Sequence, residues 1–84
     1  MRLRKQPLGG LNLIGSRVRF ARQKLGMRQK ELLAQLQIQG VDLNASGISK
    51  IEGQIRLVTD IELLAFSRIL NVSVDWLLTG KEDE

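Results

Sequence analysis

From Leu11 the apolar positions Leu11, Ile14, Val18, Ala21 and Leu25 recur at intervals of three and four, the spacing that stacks side chains on one face of a helix. Asn12 is a candidate N-cap for this first helix, and Gly26 is its stop. Met27 leads into a second helix from Arg28 to Gln39, with Leu32, Leu33 and Leu36 as the apolar stripe and Gly40 as the break. Val41-Asp42-Leu43 reads as a connector, after which Asn44 caps a third short helix, Ala45 to Glu52, closed by Gly53-Gln54. Ile55 to Val58 cross to Thr59-Asp60-Ile61-Glu62, a capping box in which the Thr hydroxyl and the Glu carboxylate satisfy each other's orphan N–H groups. Val58 and Leu63 stand at the positions of a hydrophobic staple. The fourth helix carries Ile61, Leu64, Ala65, Ile69 and Leu70 at helical spacing and ends at Asn71, a residue that tolerates the left-handed cap. Ser73 caps a last short helix, Val74 to Leu78, stopped by Gly80. β-Branched residues nowhere alternate over more than a few positions, so no strand is predicted and the expected class is all-α.

The ends fall outside this pattern. Residues 1–10 combine Arg2, Arg4 and Lys5 with Pro7 and the Gly9-Gly10 pair and have no period that buries a face, so they are expected to form a flexible basic arm. Residues 81–84 are a short acidic tail, which leaves residues 11–80 as one folded domain. With 84 residues there is room for one core only, into which nearly all the Leu, Ile and Val must go. The sequence has no cysteine and no histidine, which excludes disulfides, zinc ligation, thiol chemistry and imidazole acid–base catalysis. No metal and no cofactor is expected. No apolar run approaches the roughly 20 residues that span a bilayer, and the first ten residues lack the apolar region of a signal peptide. A cytoplasmic location without membrane association is the expectation.

Charge changes the picture through its position. Arg2, Arg4, Lys5, Arg17, Arg19, Arg22, Lys24, Arg28 and Lys30 are followed by the first acidic residue only at Glu31, beyond which acidic residues dominate. A chain with one basic and one acidic half suits a polyanion on one side, nucleic acid being the commonest such partner. The third helix fits that partner in shape. A major groove about 12 Å wide admits one helix if its leading residues are small or reach base edges, and Ala45, Ser46 and Gly47 have almost no bulk.

Four blocks resemble the XRE or phage repressor and Cro-like helix-turn-helix proteins: Ser16-Arg17-Val18 through Leu25-Gly26-Met27, Gln29-Lys30-Glu31-Leu32, Ile48-Ser49-Lys50-Ile51-Glu52, and Leu70-Asn71-Val72-Ser73-Val74-Asp75-Trp76-Leu77-Leu78. The resemblance covers Ile14 to Gly80. It implies a five-helix, lambda-repressor-like bundle in which the second and third helices form the reading unit. The third helix, about residues 44–52, would lie in the major groove while the second crosses the backbone. On that basis Gln29 looks like the family's phosphate-binding glutamine, with Arg28 beside it. Asn44, Ala45, Ser46, Gly47, Ser49 and Lys50 occupy positions that meet bases or the groove wall, and Arg56 and Arg17 look like backbone contacts. Arg22 and Glu52 resemble the family's internal ion pair, which locks the reading helix to the scaffold. Trp76 is expected in the core, its indole N–H on a carbonyl. Phe20 falls away from the first stripe and is expected to be exposed.

The chain departs from the family in three places. Between Leu33 and Ile48 it has several residues more than is usual, which a longer second helix or a longer turn must absorb. The order Gly53-Gln54 replaces the usual Asn-Gly, moving the flexible residue by one step. The Ala45-Ser46-Gly47 run lacks the side chains that make bidentate base contacts, which shifts specificity to Lys50, Asn44, backbone approach at Gly47 or DNA shape.

The function implied is that of a sequence-specific transcriptional regulator, most simply a repressor occupying an operator. Its partners would be double-stranded DNA and a second copy in a weak homodimer completed on DNA, built on the last helix or on Phe20. The competing reading is an antitoxin-type or other protein-interaction module carrying the same domain. An enzyme is not expected: Asp42, Asp60 and Asp75 show no motif spacing, and there is no Gly-rich phosphate loop.

Overall fold

The computed structural model describes residues 10–81, whose five helices are α1 (Gly15–Lys24), α2 (Gln29–Ile38), α3 (Ala45–Glu52), α4 (Asp60–Leu70) and α5 (Val74–Thr79). The described residues contain no strand, and the all-α class read from the pattern holds. The basic arm, with Arg2, Arg4 and Lys5, and the acidic Glu82, Asp83 and Glu84 lie outside the described residues. No helix among the described residues is long and apolar enough to cross a membrane.

The helix ends follow from local chemistry. α3, α4 and α5 each start on a side-chain oxygen: Asn44 Oδ1 accepts from Gly47 N at 2.7 Å, Thr59 Oγ1 from Glu62 N at 3.1 Å, and Ser73 Oγ from Trp76 N at 2.9 Å. Thr59 N returns a bond to Glu62 Oε1 at 2.9 Å, which completes the capping box. α1 and α2 finish in the left-handed turn expected of Gly26 (φ 71°) and Gly40 (φ 83°). In each, the next residue reaches back five positions, Met27 N to Arg22 O and Val41 N to Leu36 O, so that the last carbonyls are satisfied.

Asn12 is not the N-cap residue of α1, a position held by Ile14 without a side-chain capping bond, but it serves the same helix end from two residues earlier. Its Oδ1 accepts from Ile14 N at 3.1 Å and Gly15 N at 2.8 Å, and its Nδ2 donates to Ile51 O at 3.1 Å and Arg56 O at 2.9 Å. One amide therefore starts α1 and holds the exit of α3. Gly15 makes this approach possible. A Cβ there would collide with the Ile51 carbonyl oxygen and stand 2.8 Å from Gln54 Cγ, so α1 and α3 cross with nearly bare backbone between them.

The core is built from Ile14, Val18 and Ala21 of α1 and its approach, Leu32 and Leu36 of α2, Ile48 and Ile51 of α3, Ala65, Phe66 and Leu70 of α4, and Leu77 of α5. Two of the expected stripes shift. Leu11 and Leu25 are exposed because they lie just outside α1, one before its first turn and one at its C-cap. In α4 the buried side is Glu62, Ala65, Phe66 and Leu70, and Ile61 and Leu64 face outward. The extra residues after α2 form a longer turn: Gly40 reverses the chain, and Val41 and Leu43 plug the core on either side of the exposed Asp42. Trp76 is half-buried at the surface. Its ring lies 6.3 Å from that of the exposed Phe20, and among the described residues its indole N–H meets no carbonyl.

Candidate nucleic-acid interface

α3 is amphipathic in the strict sense. Gly47, Ile48 and Ile51 turn inward, and Asn44, Ala45, Ser46, Ser49 and Lys50 stand exposed. The exposed group is small except for Lys50, so the helix offers a low, polar ridge with one cation on it. Of the positions expected to meet a groove, Gly47 is not on that ridge. It is buried, and a Cβ there would stand 3.0 Å from Leu43 Cδ2 and 3.3 Å from Asn44 Oδ1. A side chain at 47 would fit under the Asn44 cap only if Leu43 and Asn44 gave way by a few tenths of an ångström.

The N-terminus of α2 lies against this ridge through a chain of side-chain bonds. Ser49 Oγ donates to Gln29 Oε1 at 3.1 Å, and Gln29 Nε2 donates to Glu52 Oε1 at 3.0 Å. Glu52 in turn receives Arg22 Nε at 2.7 Å and Arg22 Nη2 at 3.0 Å, and Arg22 Nη1 donates to Met27 O at 2.8 Å. The Arg22–Glu52 pair is thus bidentate, and its side chains are only 10% and 5% exposed. The Glu52 hydrogen bonds hold the Arg22 guanidinium above its ordinary pKa, against the opposing effect of burial. The pair and Gln29 form one network spanning α1, α2 and α3. It fixes the ridge relative to the α2 N-terminus, where Arg28 and Lys30 are exposed. The Gln29 amide is committed to Glu52 and Ser49, and the Glu31 carboxylate accepts from Arg28 N at 2.7 Å, so the α2 N-terminus carries its own anion beside the exposed Arg28.

Two of the arginines singled out by the resemblance are tied into the scaffold. Arg17 Nη1 donates to Leu13 O at 3.1 Å and Leu77 O at 3.0 Å, and its guanidinium lies over Gly80, at the junction of α1 and α5. Arg56 forms a forked pair with Glu62 at 3.1 and 3.2 Å while its Nε remains near Gly47, beside the start of α3. Burial alone would push the Glu62 carboxyl up. The bonds from Arg56 and Thr59 and the Arg56 charge outweigh it, and hold Glu62 below the ordinary carboxylate range. A cleft runs along this side of α3, with Asp42, Ser46, Lys50, Ile55 and Arg56 among its walls.

Sequence reasoning missed Gly15, Glu62 as the partner of Arg56, and Gln54. The flexible position does not fall on Gly53, whose φ is −83°, but on Gln54 at φ 63°. Gln54 Nε2 donates to Asn12 O at 3.1 Å, and Gln54 O accepts from Leu11 N at 3.0 Å. The signal available was the helix count from Asn44, since Ile55 N reaching Lys50 O puts the left-handed residue between them.

The fold and this surface define a small all-α domain with a short, polar, singly cationic helix locked beside a basic helix N-terminus. No family model, no curated protein and no solved structure matches the chain.

Proposed function

We propose that this chain is a sequence-specific binder of double-stranded DNA of the helix-turn-helix type, acting as a transcriptional regulator, with α3 entering the major groove. The observation that carries the reading is the exposed ridge Asn44, Ala45, Ser46, Ser49 and Lys50, held by the Gln29–Glu52–Arg22 network at a fixed position beside Arg28 and Lys30. A reading helix must be thin enough to enter the groove and rigid enough to keep register, and α3 has both properties. The resemblance to the XRE and phage repressor family supports the same assignment. Repression follows as the simplest action of such a domain, by occupation of an operator.

Within this reading the contacts divide by chemistry. Arg28 and Lys30 serve phosphates and set affinity, whereas Lys50 and Asn44 reach base edges and set preference. Gly47 serves by letting the Asn44 cap pack close. Arg56, paired with Glu62, presents a positioned rather than a free charge beside the start of α3.

Binding of Arg28→Ala and Lys50→Ala variants to duplex pools over a salt series tests this division. Arg28→Ala is expected to weaken all duplexes alike and to reduce the log–log salt slope by about one, while Lys50→Ala alters preference at particular base pairs. If Lys50→Ala leaves both affinity and preference unchanged, α3 is not the reading element.

A further inference from the structure

Of the carboxylates among the described residues, all but one have a place in the scaffold. Glu31 accepts from Arg28 N, Glu52 from Arg22 and Gln29, and Glu62 from Arg56 and Thr59 N. Asp60 and Asp75 sit in the first turns of α4 and α5, where the helix dipole favours a negative charge. Asp42 has neither. It stands two residues before the Asn44 cap, outside α3, and among the described residues its carboxylate makes no hydrogen bond and no ion pair. Its position is nonetheless fixed, because Val41 and Leu43 on either side of it are buried. Together with Ser46, Lys50 and Arg56 it lines the cleft along α3. Arg56 is taken up by Glu62, so the cleft presents one ammonium donor and one carboxylate acceptor.

We propose that Asp42 determines part of the sequence preference, by accepting a hydrogen bond from the exocyclic N4 amino group of a cytosine at the edge of the site that α3 reads. This rests on the DNA-binding reading above and adds to it the base recognised by the turn before α3. An ionised carboxylate only accepts hydrogen bonds. Along a duplex it is repelled by phosphates and, in the major groove, by guanine O6 and N7 and by thymine O4, and it finds a donor only at cytosine N4 or adenine N6. Adenine sets its N7 acceptor beside that donor, which leaves cytosine as the better match. Lys50, in the same cleft, has the complementary chemistry, since an ammonium group donates to guanine O6 and N7. Donor and acceptor together fit the edge of a G·C pair, whereas a cleft built for phosphate would not carry an unpaired carboxylate. Asp42 lies in the longer turn between α2 and α3, where the chain departs from the family it resembles, so this contact belongs to this chain and not to the shared pattern.

Selection from a randomised duplex pool with the full chain and with its Asp42→Ala and Asp42→Asn variants, followed by titration of the duplexes selected, tests the proposal. The parent is expected to prefer C·G at one position that Asp42 controls, with a loss of about tenfold on exchange for T·A. Asp42→Ala should reduce that discrimination to within about twofold, keep the preference at the other positions, and bind all duplexes more tightly because a negative charge is gone. Asp42→Asn, whose amide pairs with adenine N6 and N7, should move the preference at the same position from cytosine to adenine. Both variants should unfold near the parent's Tm, since the side chain is exposed and unbonded. An Asp42→Ala preference profile identical to the parent's at every position overturns the proposal and leaves α3 as the reading element, and a Tm well below the parent's overturns it by making Asp42 part of the scaffold. A parent that enriches no sequence removes the DNA reading itself, and this contact with it.

Discussion

Glu62 shows how much one side chain can hold in place. It is 7% exposed, closes the α4 capping box, and receives both arms of Arg56. The capping box was legible from Thr59 and Glu62 three residues apart, whereas the Arg56 pair was not, because a loop arginine has no periodicity that says where it turns. The pairing carries a pH dependence of definite sign. With its folded pKa below the unfolded value, Glu62 adds stability that is present at neutral pH, above the unfolded value, and is lost as pH falls through the folded one. Glu62→Gln keeps an acceptor for the capping box but loses the charge. It is expected to cost about 1–2 kcal/mol at pH 7, a value kept low by the partial exposure of Arg56, and to show less loss of stability below about pH 4 than the parent. Denaturation curves of the two proteins at a series of pH values check this. Parallel pH profiles would remove Glu62 from the account.

Among the elements, α3 was read with the right bounds, since Asn44, the inward Ile48 and Ile51 and the closing turn are all local signals. α4 was read with the right start and end but a shifted face. The helical spacing puts Leu64 in the stripe and leaves out Phe66, whereas Phe66 is fully buried and Leu64 is exposed. Several adjacent apolar residues leave the direction of the buried face open, and only packing against α2 and α1 decides it. The crossing of α1 on α3 is the feature least visible in the sequence, because Gly15 near the start of a helix reads as a poor helix former. Its lack of a side chain is what lets Ile51 O and Gln54 approach. Intrinsic propensity makes Gly→Ala in a helix favourable by up to about 1 kcal/mol. At this position the opposite sign is expected: Gly15→Ala should destabilise by about 2 kcal/mol or more and lower Tm by roughly 10 °C, since the obstructing atom is backbone. Thermal unfolding followed by circular dichroism measures it, and a Tm equal to or above that of the parent would show that the helices do not cross this closely.

At the scale of the molecule, the division between a basic first part and an acidic remainder was legible as charge. The use of that charge was not. Arg17, Arg22 and Arg56 are consumed in holding α1, α3 and the α3–α4 connection together, and Arg28, Lys30 and Lys50 are left at the surface beside the polar ridge. Composition counts all of these cations equally, and the fold separates scaffold from surface. The class and the number of helices follow from periodicity and caps. The side-chain network that aims α3 depends on contacts between residues more than twenty positions apart, such as Arg22 with Glu52 and Gln29 with Glu52. The central claim, that this surface reads DNA sequence, is tested most directly by selection from a randomised duplex pool at about 0.15 M salt, where purely electrostatic binding is weakened. The account predicts enrichment of an inverted repeat with half-sites about one helical turn, roughly 34 Å, apart. A pool that stays random after selection, while salt-sensitive binding persists at lower ionic strength, would contradict it and favour a protein-interaction module.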